Sequence, residues 1–195
     1  WEPLLAKALP DDRLFFWPDA NGGDIDVAIV ATHPPGTFAE LKKLKLIQSL
    51  WMGVENIVAD PQLPRGVPVA RLIDPGMVAA MGETVLAWVI DWHRHFYAYR
   101  AFQEEERWKR LKQYLASDRT IGILGLGELG ASVARKLAAL GFNVAGYSRR
   151  PKQLDGVFCS TDLDEVARRS DALVCLLPLT PHTRGVINAR EIGRA

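Results

Sequence analysis

The chain has 195 residues, 48% of them apolar, and its 24 basic and 23 acidic side chains leave a formal charge of +1. That length buries a core, and the even charge balance removes any electrostatic case for nucleic acid or an anionic membrane as a partner. With no apolar run near the roughly 18 residues of a bilayer span, no leader-like N-terminus, and Cys159 and Cys175 without metal-ligand spacing, composition points to a soluble, cytoplasmic protein whose thiols are buried or inert.

Residues 1–75 alternate short apolar strand candidates (Leu14–Trp17, Ile25–Ala31, Leu46–Trp51, Pro68–Ile73) with a helical stretch, Phe38–Leu44. Strands alternating with helices predict a parallel α/β sheet. His33-Pro34-Pro35-Gly36 then reads as the loop leaving the second strand, and Trp51-Met52-Gly53 as the loop leaving the third. Ligands gather at such carboxyl ends.

From Met77 to Tyr114, Val85, Trp88, Val89, Trp92, Phe96, Tyr99 and Phe102 recur at three- and four-residue intervals, which predicts one long helix bridging two domains. Its aromatic stripe is either an intramolecular core, the preferred reading, or a subunit interface. His93 and His95, two residues apart on that helix, would point to different faces and make a poor metal pair. Arg107, Lys109, Arg110, Arg168 and Arg169 read as solvated helix faces.

Residues 119–150 are the most informative. Ile121, Ile123 and Leu124 form a strand candidate, Gly125-Leu-Gly127-Glu-Leu-Gly130 follows, and Leu129, Val133, Leu137 and Leu140 mark a helix; this is the context that a dinucleotide fingerprint requires. Gly125 permits the tight turn, Gly127 lets a pyrophosphate approach the backbone, and Gly130 lets helix pack on strand, with the phosphates at the amides of Glu128 and Leu129. About twenty residues on, where an NAD site carries an acid for the ribose hydroxyls, the chain has Ser148, Arg149 and Arg150 and no acid before Asp155. Guanidinium suits a phosphate dianion, so NADP(H) is preferred over NAD(H).

Asp162-Leu-Asp-Glu165 then starts a short helix by a capping pattern. Asp171–Leu177 reads as a third buried strand, Pro178–Thr183 as its exit loop, and a further helix begins near the end. Stopping after three strands would leave the strand at Ile121–Leu124 without its central neighbour and bare an apolar edge. The expectation is a piece of a longer polypeptide, or a chain completed by a partner.

These parts, in this order, resemble the D-isomer-specific 2-hydroxyacid dehydrogenases, and within them the glyoxylate/hydroxypyruvate reductase A type. The matching pieces are His33-Pro34-Pro35, Met52-Gly53-Val54, Met81-Gly82-Glu83, the run Gly122–Gly130, Tyr147–Arg150 and Leu176–Asn188. The resemblance implies a flavodoxin-like substrate-domain part over residues 1–80, a bridging helix over 81–114, and the first half of a Rossmann NADP-binding domain over 115–195. It implies reduction of a small 2-keto acid such as glyoxylate or hydroxypyruvate to the 2-hydroxy acid, in a homodimer. The Met52 and Gly53 loop would offer amides to the substrate carboxylate, with Trp51 either walling the pocket or serving as a core aromatic. Cofactor contacts would fall on the glycine turn, on Ser148, Arg149 and Arg150, and on Pro178 and Thr183.

The family's catalytic Arg, Glu and His would lie beyond Ala195, so no catalytic residue is assigned and residues 1–195 alone are expected to be inactive. His182, in Thr180-Pro181-His182, sits too early to be the catalytic histidine and reads as an exposed loop residue. Asn188-Ala189-Arg190 continues a helix start and is no carboxylate clamp. The alternative is a non-catalytic NADP-binding regulatory or interaction module.

Overall fold

The computed structural model describes residues 1–16 and 24–189. Trp17 of the first strand candidate and most of the stretch expected to be a final helix, Arg190 included, lie outside the described residues. The chain divides into two compact units, Trp1–Leu72 and Ile73–Ala195.

In the N-terminal unit, a short helix α1 (Glu2–Ala8) precedes three parallel strands, β1 (Val27–Val30), β2 (Leu46–Ser49) and β3 (Val69–Ala70), in the order β1-β2-β3. Ala28 lies opposite Ile47, which lies opposite Val69. Leu14–Phe16 form no strand, and the two phenylalanines stay exposed because nothing in this sheet pairs with them. Phe38–Leu44 is likewise not a helix. Pro34 and Pro35 enter a series of turns, closed by bonds such as Ala39 N–H to Gly36 C=O at 3.0 Å and Leu41 N–H to Phe38 C=O at 3.2 Å. The apolar spacing served burial all the same, since Phe38 and Leu44 pack with Ala28, Ile47 and Ile57 of α2 (Glu55–Val58) in this unit's core.

The C-terminal unit opens with α3 (Pro75–His93). Pro75 stands at its first turn, and the Asp74 carboxylate caps it by accepting from the amides of Gly76 at 2.9 Å and Met77 at 3.1 Å. The single long helix expected over 77–114 is broken. Arg94 leaves helical geometry, His95 is left-handed at φ 57°, and a separate α4 (Phe96–Glu104) follows. Beyond α4 the chain runs back irregularly and is tied down by the Tyr99 hydroxyl, which accepts from the Leu111 amide at 3.2 Å, and by Lys112 C=O against His95 Nε2 at 3.1 Å. These tertiary bonds favour the bend over a continued helix, and they place Arg107, Lys109 and Arg110 on an irregular segment rather than on a helix face. The aromatic stripe divides: Val85 and Val89 are core, whereas Trp88 is 72% exposed and Phe96 46%.

Four parallel strands follow: β4 (Thr120–Leu124), β5 (Asn143–Tyr147), β6 (Val157–Ser160) and β7 (Ala172–Cys175), in the order β6-β5-β4-β7. Helices α5 (Glu128–Ala139) and α6 (Leu163–Arg169) connect them. Two expectations are corrected here. The strand at residue 172 is the fourth and not the third, because β6 had gone unrecognised. It pairs with β4 from Ile121 opposite Ala172 to Leu124 opposite Cys175, so β4 is interior and the edges are β6 and β7. Asp171 fixes that pairing by accepting from the Thr120 amide and the Arg119 guanidinium, each at 2.8 Å. On the edge strand, Cys175 is exposed rather than buried, while Cys159 is half-buried.

Both faces of this sheet are covered, as a parallel sheet requires. Ile121 and Ile123 pack with Val85, Val89, Val133 and Leu137 of α3 and α5, and Leu124 and Ala145 pack with Val166 of α6. No helix among the described residues is long and apolar enough to cross a membrane.

His93, only 6% exposed, lies in the core against the edge of the Phe142 ring, and its Nδ1 has no hydrogen-bond partner among the described residues. Burial holds the imidazole below its ordinary 6.5, with Arg94, Arg119 and His95 adding and Asp118 opposing. The unfolded chain takes up that proton first, so stability falls as pH drops below about 6.5. Denaturant unfolding at neutral pH and at about pH 5.5 should show a smaller pH-dependent loss in His93→Phe than in wild type.

Candidate cofactor and substrate sites

At the carboxyl end of β4 the chain turns through Gly125, which sits at φ +104° and where an added Cβ would lie 3.0 Å from the Leu176 carbonyl oxygen. Gly130 is the tighter constraint, because a Cβ there would run into the Gly125 carbonyl oxygen. The turn is anchored to β5 by the Tyr147 carbonyl, which accepts from Gly125 N–H at 3.0 Å and Leu126 N–H at 3.1 Å. Gly127 differs from both: a Cβ on it would meet nothing within 4 Å, so its outer face is open. Helix α5 begins immediately after, at Glu128 and Leu129, with no side chain capping it. An uncapped helix start beside open backbone is chemically suited to phosphate oxygens.

Strand β5 delivers Ser148, Arg149 and Arg150 next to that turn. Ser148 N–H donates to Ser160 C=O at 3.1 Å and its hydroxyl donates to Arg150 C=O at 2.6 Å, which folds the segment into a bend. Arg149 and Arg150 are exposed, and neither forms an ion pair among the described residues. Their charge is therefore available to an anion.

After β7 the exit loop is closed on itself. Thr180 N–H donates to Thr183 Oγ1 at 2.8 Å, and the Thr183 hydroxyl also reaches the Pro178 carbonyl. Pro178 is exposed, Thr183 half-buried, and His182 exposed.

In the N-terminal unit the loop leaving β2 carries Trp51, Met52 and Gly53. The buried Ser49 hydroxyl accepts from Trp51 N–H at 3.0 Å and donates to Trp51 C=O at 3.1 Å, and Leu72 N–H adds a bond to that carbonyl at 3.2 Å. The loop is thereby fixed, and the Met52 and Gly53 amides have no protein acceptor among the described residues. Trp51 is 51% exposed, which removes the core-aromatic reading.

Sequence reasoning left His33 without a partner. Its Nε2 lies 3.4 Å from Asp60 Oδ2, and both side chains are buried. Amide bonds from Gln62 and Gly36, together with His33, hold the Asp60 carboxyl below the usual carboxylate range against the opposing effect of burial. The pair stitches the His33-Pro34-Pro35 loop to the end of α2 beside a cavity of about 290 Å³, which Thr32 and Asn56 also line and Trp51, Met52 and Gly53 do not. The Asp60-Pro61 dipeptide after a short helix was the available signal, but nothing in the sequence pairs it with a histidine 27 residues earlier.

The family pattern described as D-isomer specific 2-hydroxyacid dehydrogenase, NAD binding domain, matches residues 86–195. The chain is 38% identical over 196 residues to glyoxylate/hydroxypyruvate reductase A of Serratia proteamaculans, across 96% of this chain and 63% of that protein. Among solved structures, a D-isomer specific 2-hydroxyacid dehydrogenase from Xanthobacter autotrophicus in complex with NADPH and MES matches with a TM-score of 0.89 at 37% identity, over 100% of this chain and 64% of that one. The NADPH-dependent glyoxylate/hydroxypyruvate reductase from Sinorhizobium meliloti in complex with NADP and sulfate matches at 0.81 and 40% identity, over 87% and 54%. The chain thus spans between 54% and 64% of the length of these relatives.

Proposed function

We propose that this chain, which belongs to the D-isomer specific 2-hydroxyacid dehydrogenase family, serves an NADP(H)-dependent reductase of small 2-keto acids of the glyoxylate and hydroxypyruvate kind. The observation that carries this reading is the pairing of an open Gly127 turn with two unpaired arginines at the end of β5. A carboxylate there would select NAD(H), and two guanidinium groups select a 2′-phosphate. The names of the relatives from Serratia and Sinorhizobium support the substrate class.

Residues 1–80 are proposed as part of the substrate domain and 115–195 as the dinucleotide-binding part, joined by 81–114. The amides of Glu128 and Leu129 would hold the pyrophosphate. Ser148, Arg149 and Arg150 would hold the 2′-phosphate, and Pro178 and Thr183 would border the cofactor. Bound NADPH supplies the hydride. The Met52 and Gly53 amides would fix the substrate carboxylate while Trp51 walls its side. Charge developing on the keto oxygen needs a proton donor and a cation. None of the four histidines is free for the first task in a suitable loop: His33 is paired, His93 buried, His95 bonded to Lys112, and His182 exposed in the exit loop. The donor and the carboxylate clamp are therefore proposed to come from the part of the relatives' length that this chain does not span.

A fixed loop with free amides at the end of β2 has no task in a purely regulatory nucleotide-binding module, which disfavours that alternative. The exposed Trp88, Phe96 and Tyr97 support a homodimer, since aromatic residues concentrate at interfaces, and the free thiols fit a cytoplasmic setting. The test is NADPH oxidation by the full-length protein with glyoxylate and with hydroxypyruvate. Stoichiometric formation of the 2-hydroxy acid, as the D-isomer from hydroxypyruvate, is expected, and binding of NADPH without turnover on either acid would move the assignment to the regulatory module.

A further inference from the structure

The cavity of about 290 Å³ in the N-terminal unit lies beside the substrate loop rather than in it. The sheet sets its position. Val30 lies opposite Ser49, and Leu50 N–H donates to Val30 C=O at 2.7 Å, so the loops leaving β1 and β2 emerge side by side from one end. Ala31, Thr32 and His33 line the cavity from the first loop, and Asn56, three residues past Gly53 on α2, lines it from beyond the second. The cavity therefore begins one step past the Met52 and Gly53 amides.

We propose that this cavity receives the C3 end of the keto acid, with Thr32 and Asn56 as specificity-determining residues that favour a polar, uncharged substituent. This inference rests on the 2-keto acid reductase reading above. The Thr32 hydroxyl and the Asn56 carboxamide form no hydrogen bond among the described residues, so both are free to bind a substrate hydroxyl. The His33 wall is fixed: Asp60 lies 3.4 Å from its Nε2, and its ring packs on the buried Phe38 ring with centroids 4.7 Å apart. The space exceeds a hydroxymethyl group, so hydrogen bonding and charge select rather than size. No lysine or arginine lines the cavity among the described residues. The Asp60 carboxyl, kept below the usual carboxylate range by the Gln62 and Gly36 amides, stays charged there. A second carboxylate on the substrate would meet that charge with neither cation to offset it.

Three acids of one backbone probe the cavity: pyruvate ends in a methyl group, hydroxypyruvate in a hydroxymethyl group and oxaloacetate in a carboxymethyl group. In the full-length protein with saturating NADPH, kcat/KM is expected to be about tenfold or more higher for hydroxypyruvate than for pyruvate, and lowest for oxaloacetate. Thr32→Val and Asn56→Ala alter exposed side chains. Each should lower the hydroxypyruvate-to-pyruvate ratio about three- to tenfold, the scale of one neutral hydrogen bond. A change that only loosens the loop lowers both values and leaves the ratio as it was. An unchanged ratio in both variants would overturn the inference and leave the reductase reading standing. The same holds for a wild type that reduces pyruvate or oxaloacetate as efficiently as hydroxypyruvate. Turnover of none of these acids, nor of glyoxylate, would overturn the reductase reading and this inference together.

Discussion

Gly130→Ala is expected to cost the C-terminal unit about 3 kcal/mol, at the upper end for overpacking, and to eliminate NADPH binding. The added methyl has no room, since it would overlap the Gly125 carbonyl oxygen, and that carbonyl belongs to the turn held by Tyr147. Relief requires α5 to move off β4, which opens the packing of Val133 and Leu137 on Ile121 and Ile123. Gly127→Ala is the instructive contrast. Its methyl meets no protein atom within 4 Å, so folding stability should change by no more than about 0.5 kcal/mol, while NADPH binding falls because the methyl occupies the face proposed for the pyrophosphate. Denaturant unfolding and NADPH titration on both variants decide it. Destabilisation in both, or in neither, would show that the two glycines do not divide their tasks in this way.

Arg149→Asp is expected to weaken NADPH binding by roughly a hundredfold, the scale of a lost charge-assisted bond, with a carboxylate now facing the phosphate. NADH binding should change far less. Equal losses would mean that Arg149 supports the bend at the end of β5 rather than the phosphate.

The glycine turn was legible in the sequence because its signal is local: spacing, a preceding apolar strand and a following helical period all lie within twenty residues, and the structure places them as read. Strand β6 escaped because Val157–Ser160 is four residues long and follows an Asp155-Gly156 turn that blended with the preceding polar segment. Missing it made β7 look like the third strand and β4 like an edge.

The break at His95 had no local signal, with neither proline nor glycine between Trp92 and Phe102. It follows from the returning chain, which Tyr99 and His95 bind. Phe38–Leu44 shows the converse: Phe38 and Leu44 are buried, but the preceding prolines and the left-handed Gly36 impose turns instead of the expected helix. The His33–Asp60 pair was unreadable because its defining contact spans 27 residues and no local spacing joins the two.

The most direct measurement is the selectivity of the full-length protein between reduced cofactors, as kcat/KM for NADPH and for NADH with saturating hydroxypyruvate. An NADPH value at least tenfold above that for NADH is expected from cations replacing the ribose-binding acid. Equal values would contradict the phosphate site built on Arg149 and Arg150, and no oxidation of either cofactor would contradict the reductase.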